Sequence, residues 1–226
     1  MLRFYRDVVM AGLPDELTIY AGATATPDGV PVVAIIPAYC GEDLDEGERL
    51  LKSLRSFGPP IADLVSRMPY LAAQQMFDAA APYGIRSYWK SSYLRALPDD
   101  AIDTFVHFAE RCTSPRSFLM IENTHGAAAR VDPEATAFGV RSEPFNLVLM
   151  TLWEDAADDA RHIEWTRSFY SAMQPWSSGA VYVNTLSEDD GARVTEAYGR
   201  NYARLCEVKA RYDPANRFRR NQNIRP

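Results

Sequence analysis

Positive charge is the first thing that this sequence has little of. Its 226 residues carry 30 acidic side chains against 24 lysines and arginines, a formal net charge of -6 at pH 7. Nucleic acids and anionic membrane surfaces bind proteins largely through basic groups that release counterions. We therefore expect no nucleic acid and no membrane as a partner, and predict a small molecule or another protein instead.

Long apolar runs are missing as well. No stretch approaches the roughly 20 apolar residues of a membrane helix, and the opening MLRFYRDVVMAG lacks the continuous apolar run of a signal peptide. The three cysteines, Cys40, Cys112 and Cys206, lie far apart and form no CxxC pair. This usage favours reduced thiols, and we expect a soluble, cytoplasmic protein.

Several sequence motifs of catalysis and cofactor binding are also absent. The histidines, His107, His125 and His162, are widely separated, and acids one helical turn away are common on solvated helix faces. We expect no metal site. The sequence has no GxSxG, no GxGxxG and no GxxxxGK[ST], so hydrolase, Rossmann and P-loop chemistry are unsupported.

What the sequence does contain is an interleaving of strand-like and helix-like segments. Apolar and β-branched residues at 17–25 and 30–40 flank the turn signal Pro27-Asp28-Gly29 and predict a β-hairpin. Further strands are predicted at 86–94, 117–123, 145–153 and 180–186. Helices are predicted at the start of the chain and at 43–56, 70–80, 99–112, 156–173 and about 189–212, the last one interrupted at Gly199.

This order of elements predicts an α+β fold. We expect a mainly antiparallel sheet with helices packed on one face, followed by a C-terminal helical segment and an extended tail over residues 217–226. No short repeat or low-complexity tract interrupts the pattern.

The most specific pattern lies at the C-terminal end. From Tyr198 to Pro226 the chain matches YGxNYxRLxxxKxxYDPxNxFRxNQNIxP at every fixed position. This pattern resembles the C-terminal signature of the berberine-bridge-like, FAD-linked oxidases. Weaker similarities extend the resemblance over nearly the whole chain, at Trp89-Lys90-Ser91, 137–141, Trp153, 162–165 and 182–184.

The resemblance implies a flavoprotein built from two parts. In that family an N-terminal FAD-binding domain is followed by a substrate domain whose sheet covers the flavin ring, and by a C-terminal return to the FAD domain. Here residues 1–186 would be the substrate-binding domain, and 187–226 the segment that completes the FAD domain. We expect the N-terminal FAD-binding domain to be absent, and a separate FAD-binding chain or a homo-oligomer to supply the missing contacts.

The resemblance also suggests residues that bind the cofactor. Tyr182 and Asn184 would lie beside the flavin ring, although an alternating strand with one polar edge would explain them equally simply. The amides of Asn221, Gln222 and Asn223 either bind a polar ring or cap the terminal segment. Several relatives carry a catalytic tyrosine where this chain has Thr185, and a polar active-site residue where it has Leu149. Both departures put the usual base in doubt.

Three residues outside these motifs are candidates for chemistry. Glu122 lies in an apolar strand, where burial would raise its pKa and suit acid-base catalysis, whereas a surface salt bridge is the plainer explanation. Trp89 and Lys90, with Tyr88 and Tyr93 nearby, would line an aromatic substrate pocket or simply belong to the core.

Two functions follow from these observations. The first is the substrate-binding part of an FAD-dependent oxidoreductase, which passes a hydride from a small organic substrate to flavin N5 and is inactive without an FAD domain. The alternative is a non-catalytic binding module, a truncated remnant of such an oxidase.

Overall fold

The computed structural model describes residues 1–26 and 28–226. The strands are β1 (Leu17–Ala25), β2 (Pro31–Tyr39), β3 (Arg86–Leu94), β4 (Phe118–Asn123) and β5 (Phe145–Trp153). The helices are α1 (Leu2–Met10), α2 (Leu44–Arg55), α3 (Tyr70–Gln75), α4 (Asp99–Ala109), α5 (Gly126–Arg130), α6 (Asp159–Met173), α7 (Val194–Tyr198) and α8 (Tyr202–Tyr212). Among the helices of this described part, none has the length and apolar character needed to cross a bilayer.

One antiparallel sheet forms the centre of the fold. Its strand order is β2-β1-β4-β5-β3, and each neighbouring pair is antiparallel. The predicted hairpin is confirmed, because β1 and β2 pair along their whole length from Leu17 opposite Tyr39 to Ala25 opposite Pro31. Of its turn signal, Pro27 lies outside the described residues. Gly29 has φ +85°, a conformation that glycine adopts without strain.

Helices α1, α2, α4 and α6 pack on one face of this sheet, as predicted. Alternate strand residues point to that face, and they form the core with residues of α1, α2, α4 and α6. Helix α7 belongs to a separate small cluster. The largest fully buried side chains include Tyr5, Phe105, Phe145 and Phe169. The other residues of each strand point to the opposite face, which we call the open face. Residues on the two faces therefore have different neighbours along every strand.

Close backbone contacts need glycine at two points of the fold. A Cβ atom at Gly22 in β1 would lie 2.1 Å from the carbonyl oxygen of Leu119 in β4. One at Gly47 in α2 would lie 2.5 Å from the ring of Tyr39. Asp43 caps the start of helix α2, and its carboxylate accepts hydrogen bonds from two backbone N–H groups of the first turn.

The predicted strand at 180–186 is wrong. Residues Val183–Thr185 form a turn of 3-10 helix. An isolated bridge of Leu94 with Ser177 and a backbone hydrogen bond from Tyr93 to Ala180 precede it, and they do not continue into a ladder among the described residues. The Thr185 hydroxyl donates to the carbonyl of Tyr182 at 2.8 Å, and this side-chain bond replaces a ladder hydrogen bond. The apolar, β-branched residues predicted a strand because composition alone does not show that a side chain will bond the local backbone and compete with strand pairing.

The C-terminal helical segment is confirmed, including its interruption. Two 3-10 turns, Glu188–Arg193 and Gly199–Asn201, flank α7, and Gly199 has φ +51°. Asp213 ends α8: its carboxylate accepts from Lys209 and from the backbone N–H groups of Arg217 and Phe218. These contacts lower the pKa of Asp213 to about 2, the Lys209 bond most of all. The tail that follows contains no helix or strand.

Candidate functional site

A row of four polar side chains crosses the open face from strand to strand. Glu122 in β4 pairs with Asn146 in β5, which pairs in turn with Tyr93 in β3. Ala21 pairs with Ile121, so that Tyr20, the preceding residue of β1, stands opposite Glu122. The four residues line the floor of a cavity of about 490 Å³, a volume typical of small-molecule sites. We call them the polar row.

Glu122 is the acid at the centre of this row. Burial raises its pKa, and a hydrogen bond from Asn146 Nδ2 to Oε2, 2.9 Å long, offsets part of the effect. Burial, and secondarily the nearby carboxylate, also raises the pKa of Tyr20 and of Tyr93. Glu122 is half-buried between Tyr20 and Asn146, with Tyr93 beyond Asn146, and it is held by one amide. Its role in catalysis stays a prediction.

Two aromatic rings form a wall above the floor. Phe138, from the loop between α5 and β5, meets the ring of Tyr182 edge to face, with centroids 6.1 Å apart. The amide of Asn184 donates to the Tyr182 hydroxyl at 2.8 Å. Arg141 stacks on Phe138 at 4.7 Å and donates to the carbonyls of Phe138 and Ala128. These contacts orient the two rings relative to each other.

Asn201 of the C-terminal motif supports this wall through hydrogen bonds to the loop that carries Phe138. The Asn201 amide donates to the carbonyls of Pro133 at 2.7 Å and Thr136 at 2.9 Å, in the loop that carries Phe138. A Cβ atom at Gly139 would come within 2.9 Å of that amide. The asparagine of the Tyr-Gly-Arg-Asn sequence thus holds a loop that lines the cavity.

Residues 177–190, which we call the wall segment, run along β3 at the edge of the sheet. Ser178 donates to the carbonyl of Tyr93 at 2.9 Å, and the hydroxyls of Ser177 and Ser92 lie 2.6 Å apart. Further on, Ser187 Oγ donates to the carbonyl of Trp89 at 2.6 Å. The segment also covers a strand edge that would otherwise present unpaired backbone groups.

The structure brings some of the predicted site residues together and leaves others apart. Glu122, Tyr182 and Asn184 line the cavity, together with Tyr93. Trp89 and Lys90 are not among its lining residues. Trp89 shares the open face with Tyr93 but lies four residues away along β3, whereas Lys90 alternates with it and points to the opposite face. Lys90 points to the helix side, where its ammonium is buried against Asp190. Their substrate-binding role stays a prediction.

The tail amides lie away from the cavity as well. Gln222 donates to the carbonyl of Leu186 at 2.9 Å, Asn221 is exposed, and Asn223 Oδ1 is buried without a hydrogen-bond partner. Gln222 therefore anchors the tail to the wall segment. That contact crosses the predicted domain boundary at 186/187, as does the small cluster of Val181 and Leu186 with α7. Flavin binding by the three amides stays a prediction.

Leu149 and Thr185, the two residues that depart from the family pattern, both lie outside the cavity lining. Leu149 is fully buried in the core on the helix side, so its apolar side chain says nothing about the cavity. Thr185 is buried, and its hydroxyl is bonded to the Tyr182 carbonyl and to the hydroxyl of Ser91. Neither position could contribute a base to the cavity in this arrangement.

Sequence reasoning missed Tyr20 and Asn146. Asn146 carries a detectable signal, because asparagine is depleted in strands and here stands in the otherwise apolar run around Phe145–Trp153. Tyr20 carries none, since tyrosine is ordinary in a strand. Its place in the polar row depends on the register of β1 against β4, which the sequence does not reveal.

Comparison with known proteins identifies the C-terminal segment. Residues 181–225 match the family model described as "Berberine and berberine like". The chain is 26% identical over 217 residues to an FAD-linked oxidoreductase of Dictyostelium discoideum, covering 95% of this chain and 46% of that protein. It is 26% identical over 210 residues to (R)-6-hydroxynicotine oxidase of Paenarthrobacter nicotinovorans, covering 87% and 44%.

The fold points to the same group of proteins. The structure of BBE-like #28 from Arabidopsis thaliana superposes with a TM-score of 0.82 at 17% identity, covering 99% of this chain and 53% of that one. The chain spans about half the length of the relatives it matches. By its C-terminal segment, its relatives and its fold, this chain is a berberine-bridge-like relative of the FAD-linked oxidoreductases.

Proposed function

We propose that the chain supplies the substrate-binding part of an FAD-dependent oxidoreductase, with Glu122 as its acid-base residue. The observation that carries the proposal is the polar row: Glu122, a half-buried acid whose pKa is raised by burial, lies at the floor of a cavity that two phenols also line. A carboxyl whose pKa is shifted toward neutrality can accept a proton at the pH at which the protein works.

The residues of the cavity fit a flat, aromatic cofactor such as flavin. The rings of Tyr182 and Phe138 offer apolar faces, and the Asn184 amide and the Tyr20 and Tyr93 hydroxyls offer polar atoms around them. Such a combination of apolar walls and a few convergent polar groups is usual in cofactor sites. When bound, FAD would accept a hydride from the substrate.

The chain's own residues would manage the accompanying proton. Oε2 of Glu122 is occupied by the Asn146 amide, which leaves Oε1 to accept a proton from a substrate hydroxyl or amine. Asn146 holds the carboxyl in place, and the two phenols orient the substrate through hydrogen bonds. Phe138 and Tyr182 cover the acid and limit the access of water, which keeps its pKa raised.

A non-catalytic binding module is the second candidate. One observation favours it: Thr185, at the position where several relatives carry a tyrosine, is buried and fully engaged by its neighbours. In this version the cavity binds a small molecule, and no proton transfer follows. Binding alone would then survive the loss of Glu122.

The proposal includes an FAD-binding domain that completes the flavin site. The chain spans about half the length of its relatives, and the remaining contacts to FAD would come from a separate FAD-binding chain, from a longer protein of which this chain is a part, or from a second copy of this one. Residues 57–83, with several large apolar side chains exposed, offer a surface for such a contact.

A flavin titration tests the proposal. FAD fluorescence would be followed with the purified chain alone, and again with the part of the Dictyostelium relative that lies outside the alignment. We expect saturable binding only with that partner, and bleaching of the bound flavin at 450 nm by a small alcohol or amine. Tight binding by the chain alone would contradict the need for a partner, and binding without bleaching would favour the non-catalytic module.

Variants of Glu122 separate the two functions. Glu122→Gln should bind flavin as the unsubstituted chain does but slow the bleaching by roughly 10²-fold to 10⁴-fold, the usual contribution of a general base. Glu207→Gln, an exposed acid in α8, is the matched control and should change neither. An unchanged bleaching rate in Glu122→Gln would remove Glu122 from the mechanism.

A further inference from the structure

The wall segment is held to the sheet by polar contacts rather than by a β-ladder. Between Leu94 and Trp89, the residues of β3 face it with serine hydroxyls, backbone groups and one ammonium. Tyr182 and Asn184, which line the cavity, lie in the middle of this segment. The fixed points on either side therefore decide where these two side chains stand.

One of these contacts is a buried ion pair between Lys90 and Asp190. Lys90 Nζ lies 2.8 Å from Asp190 Oδ1, and each side chain is only 8% exposed. The second carboxylate oxygen accepts the backbone N–H of Ser187 at 3.1 Å, so that both oxygens are used. The ammonium also lies over the rings of Tyr88 and Tyr170, at 5.3 Å and 5.9 Å from their centroids.

A buried ion pair of this kind fixes the relative position of the two segments that carry it, and it adds little to the free energy of unfolding. Desolvating two charges costs about as much as their attraction returns, whereas the removal of one partner leaves a buried, unpaired charge. The remaining charge then draws in water or moves to reach it. For this chain, the element that would move is the wall segment, because Lys90 lies in a strand of the sheet and Asp190 in the short 3-10 helix at the end of the segment.

We infer that Lys90 and Asp190 are positioning residues for the cavity. Their ion pair fixes the C-terminal end of the wall segment, and thereby the distance of Tyr182 and Asn184 from the polar row. The inference rests on the proposed function only in so far as the cavity is the functional site. The Trp-Lys-Ser-Ser sequence of β3 thus acts on the cavity from the strand edge, without lining it.

Three variants of the 226-residue chain separate positioning from plain stability. Lys90→Met leaves the buried Asp190 carboxylate without this ammonium, and Asp190→Asn removes this carboxylate from Lys90. The double variant Lys90→Met/Asp190→Asn removes both charges with little change in volume. Arg204→Met breaks an exposed ion pair in α8 and serves as the control. Each variant is compared by thermal unfolding, by hydrogen exchange of residues 177–190 against β4, and by 19F NMR with 3-fluorotyrosine.

The Tyr182 signal is the decisive readout. It is assigned among the 12 tyrosines with Tyr182→Phe, and the buried Tyr5 provides a core reference. In both single variants we expect the Tyr182 resonance to shift or broaden and exchange in the wall segment to rise roughly tenfold or more. The Tyr5 resonance and the exchange of β4 should stay unchanged.

The double variant gives the result that decides between the two roles. If the pair positions the wall segment, the double variant regains the unfolding temperature but not the Tyr182 resonance or the slow exchange. Recovery of all three, or an unchanged Tyr182 resonance in the single variants, would overturn the inference. Because no flavin is present in these measurements, their failure is distinct from a failure of the flavin titration.

Discussion

The partly buried Glu122 lowers the stability of the fold when it ionises, and the same burial gives it the raised pKa of a candidate acid-base residue. Because its folded-state pKa is raised by burial, the folded chain favours the protonated carboxyl. The contribution of this protonated carboxyl to folding stability is complete below the unfolded pKa of about 4.3 and is lost as the pH rises through the folded pKa. The loss is about 1.4 kcal/mol for each unit by which the folded pKa exceeds the unfolded one.

Replacement of Glu122 by glutamine should therefore change stability in a pH-dependent way. Glu122→Gln should match the unsubstituted chain near pH 4 and exceed its unfolding temperature at pH 8, because glutamine cannot ionise in the buried site. Thermal unfolding between pH 4 and pH 9 measures the difference. A constant difference at all pH values would mean that Glu122 ionises as freely in the folded chain as in the unfolded one.

At this scale the sequence revealed the acid but not its neighbours. A glutamate in an apolar strand is visible as an anomaly, and its buried environment could be predicted. Tyr20 and Asn146 become partners of Glu122 only through the pairing of β1 with β4 and of β4 with β5. Strand register depends on contacts distant in sequence, so that the polar row could not be assembled from local patterns.

Among the elements, the wall segment depends most on hydroxyl groups. Thr185→Val leaves the Ser91 hydroxyl, which is 1% exposed, without its partner. We expect a loss of about 1–3 kcal/mol in the free energy of unfolding, the usual cost of an unsatisfied buried polar group.

The double variant Ser91→Ala/Thr185→Val should lose less than the sum of the two single variants, because both ends of the bond are then removed. Urea unfolding measures all three, with the exposed Thr195→Val in α7 as control. Strict additivity would show that the two hydroxyls do not interact.

The helices and most strands could be predicted from the sequence because their periodicity is strong. Strand β5 and the end of α6 at Met173 follow from apolar spacing. The predicted start of that helix at residue 156 is a 3-10 turn, and α6 itself begins at Asp159. The wall segment escaped prediction since its apolar residues suit a strand, whereas its threonine and serines bond locally and to the edge of β3 instead.

For the whole molecule, the exposed stretch over residues 57–83 has the largest consequence in solution. Ile61, Leu64 and Tyr70 are each about 80% exposed, and an apolar surface of this kind favours association. We expect the isolated chain to associate reversibly as its concentration rises. Sedimentation velocity over a range of concentrations measures this.

A paired variant tests whether that stretch is responsible. Ile61→Ser/Leu64→Ser should weaken the association several-fold, whereas Val208→Ser in α8, a less exposed apolar residue at 38%, should leave it unchanged. Addition of an FAD-binding partner should compete with self-association if both use the same surface. A strictly monomeric chain at every concentration would argue against this surface.

The two faces of the sheet can accept substitutions independently during evolution. Because the polar row and the helix-side core use alternate residues of the same strands, substitutions in the row leave the packing of the core untouched. New chemistry can then be tried on the open face while the scaffold keeps its stability. A sheet of this design is therefore well suited to diverge in substrate among related enzymes without diverging in fold.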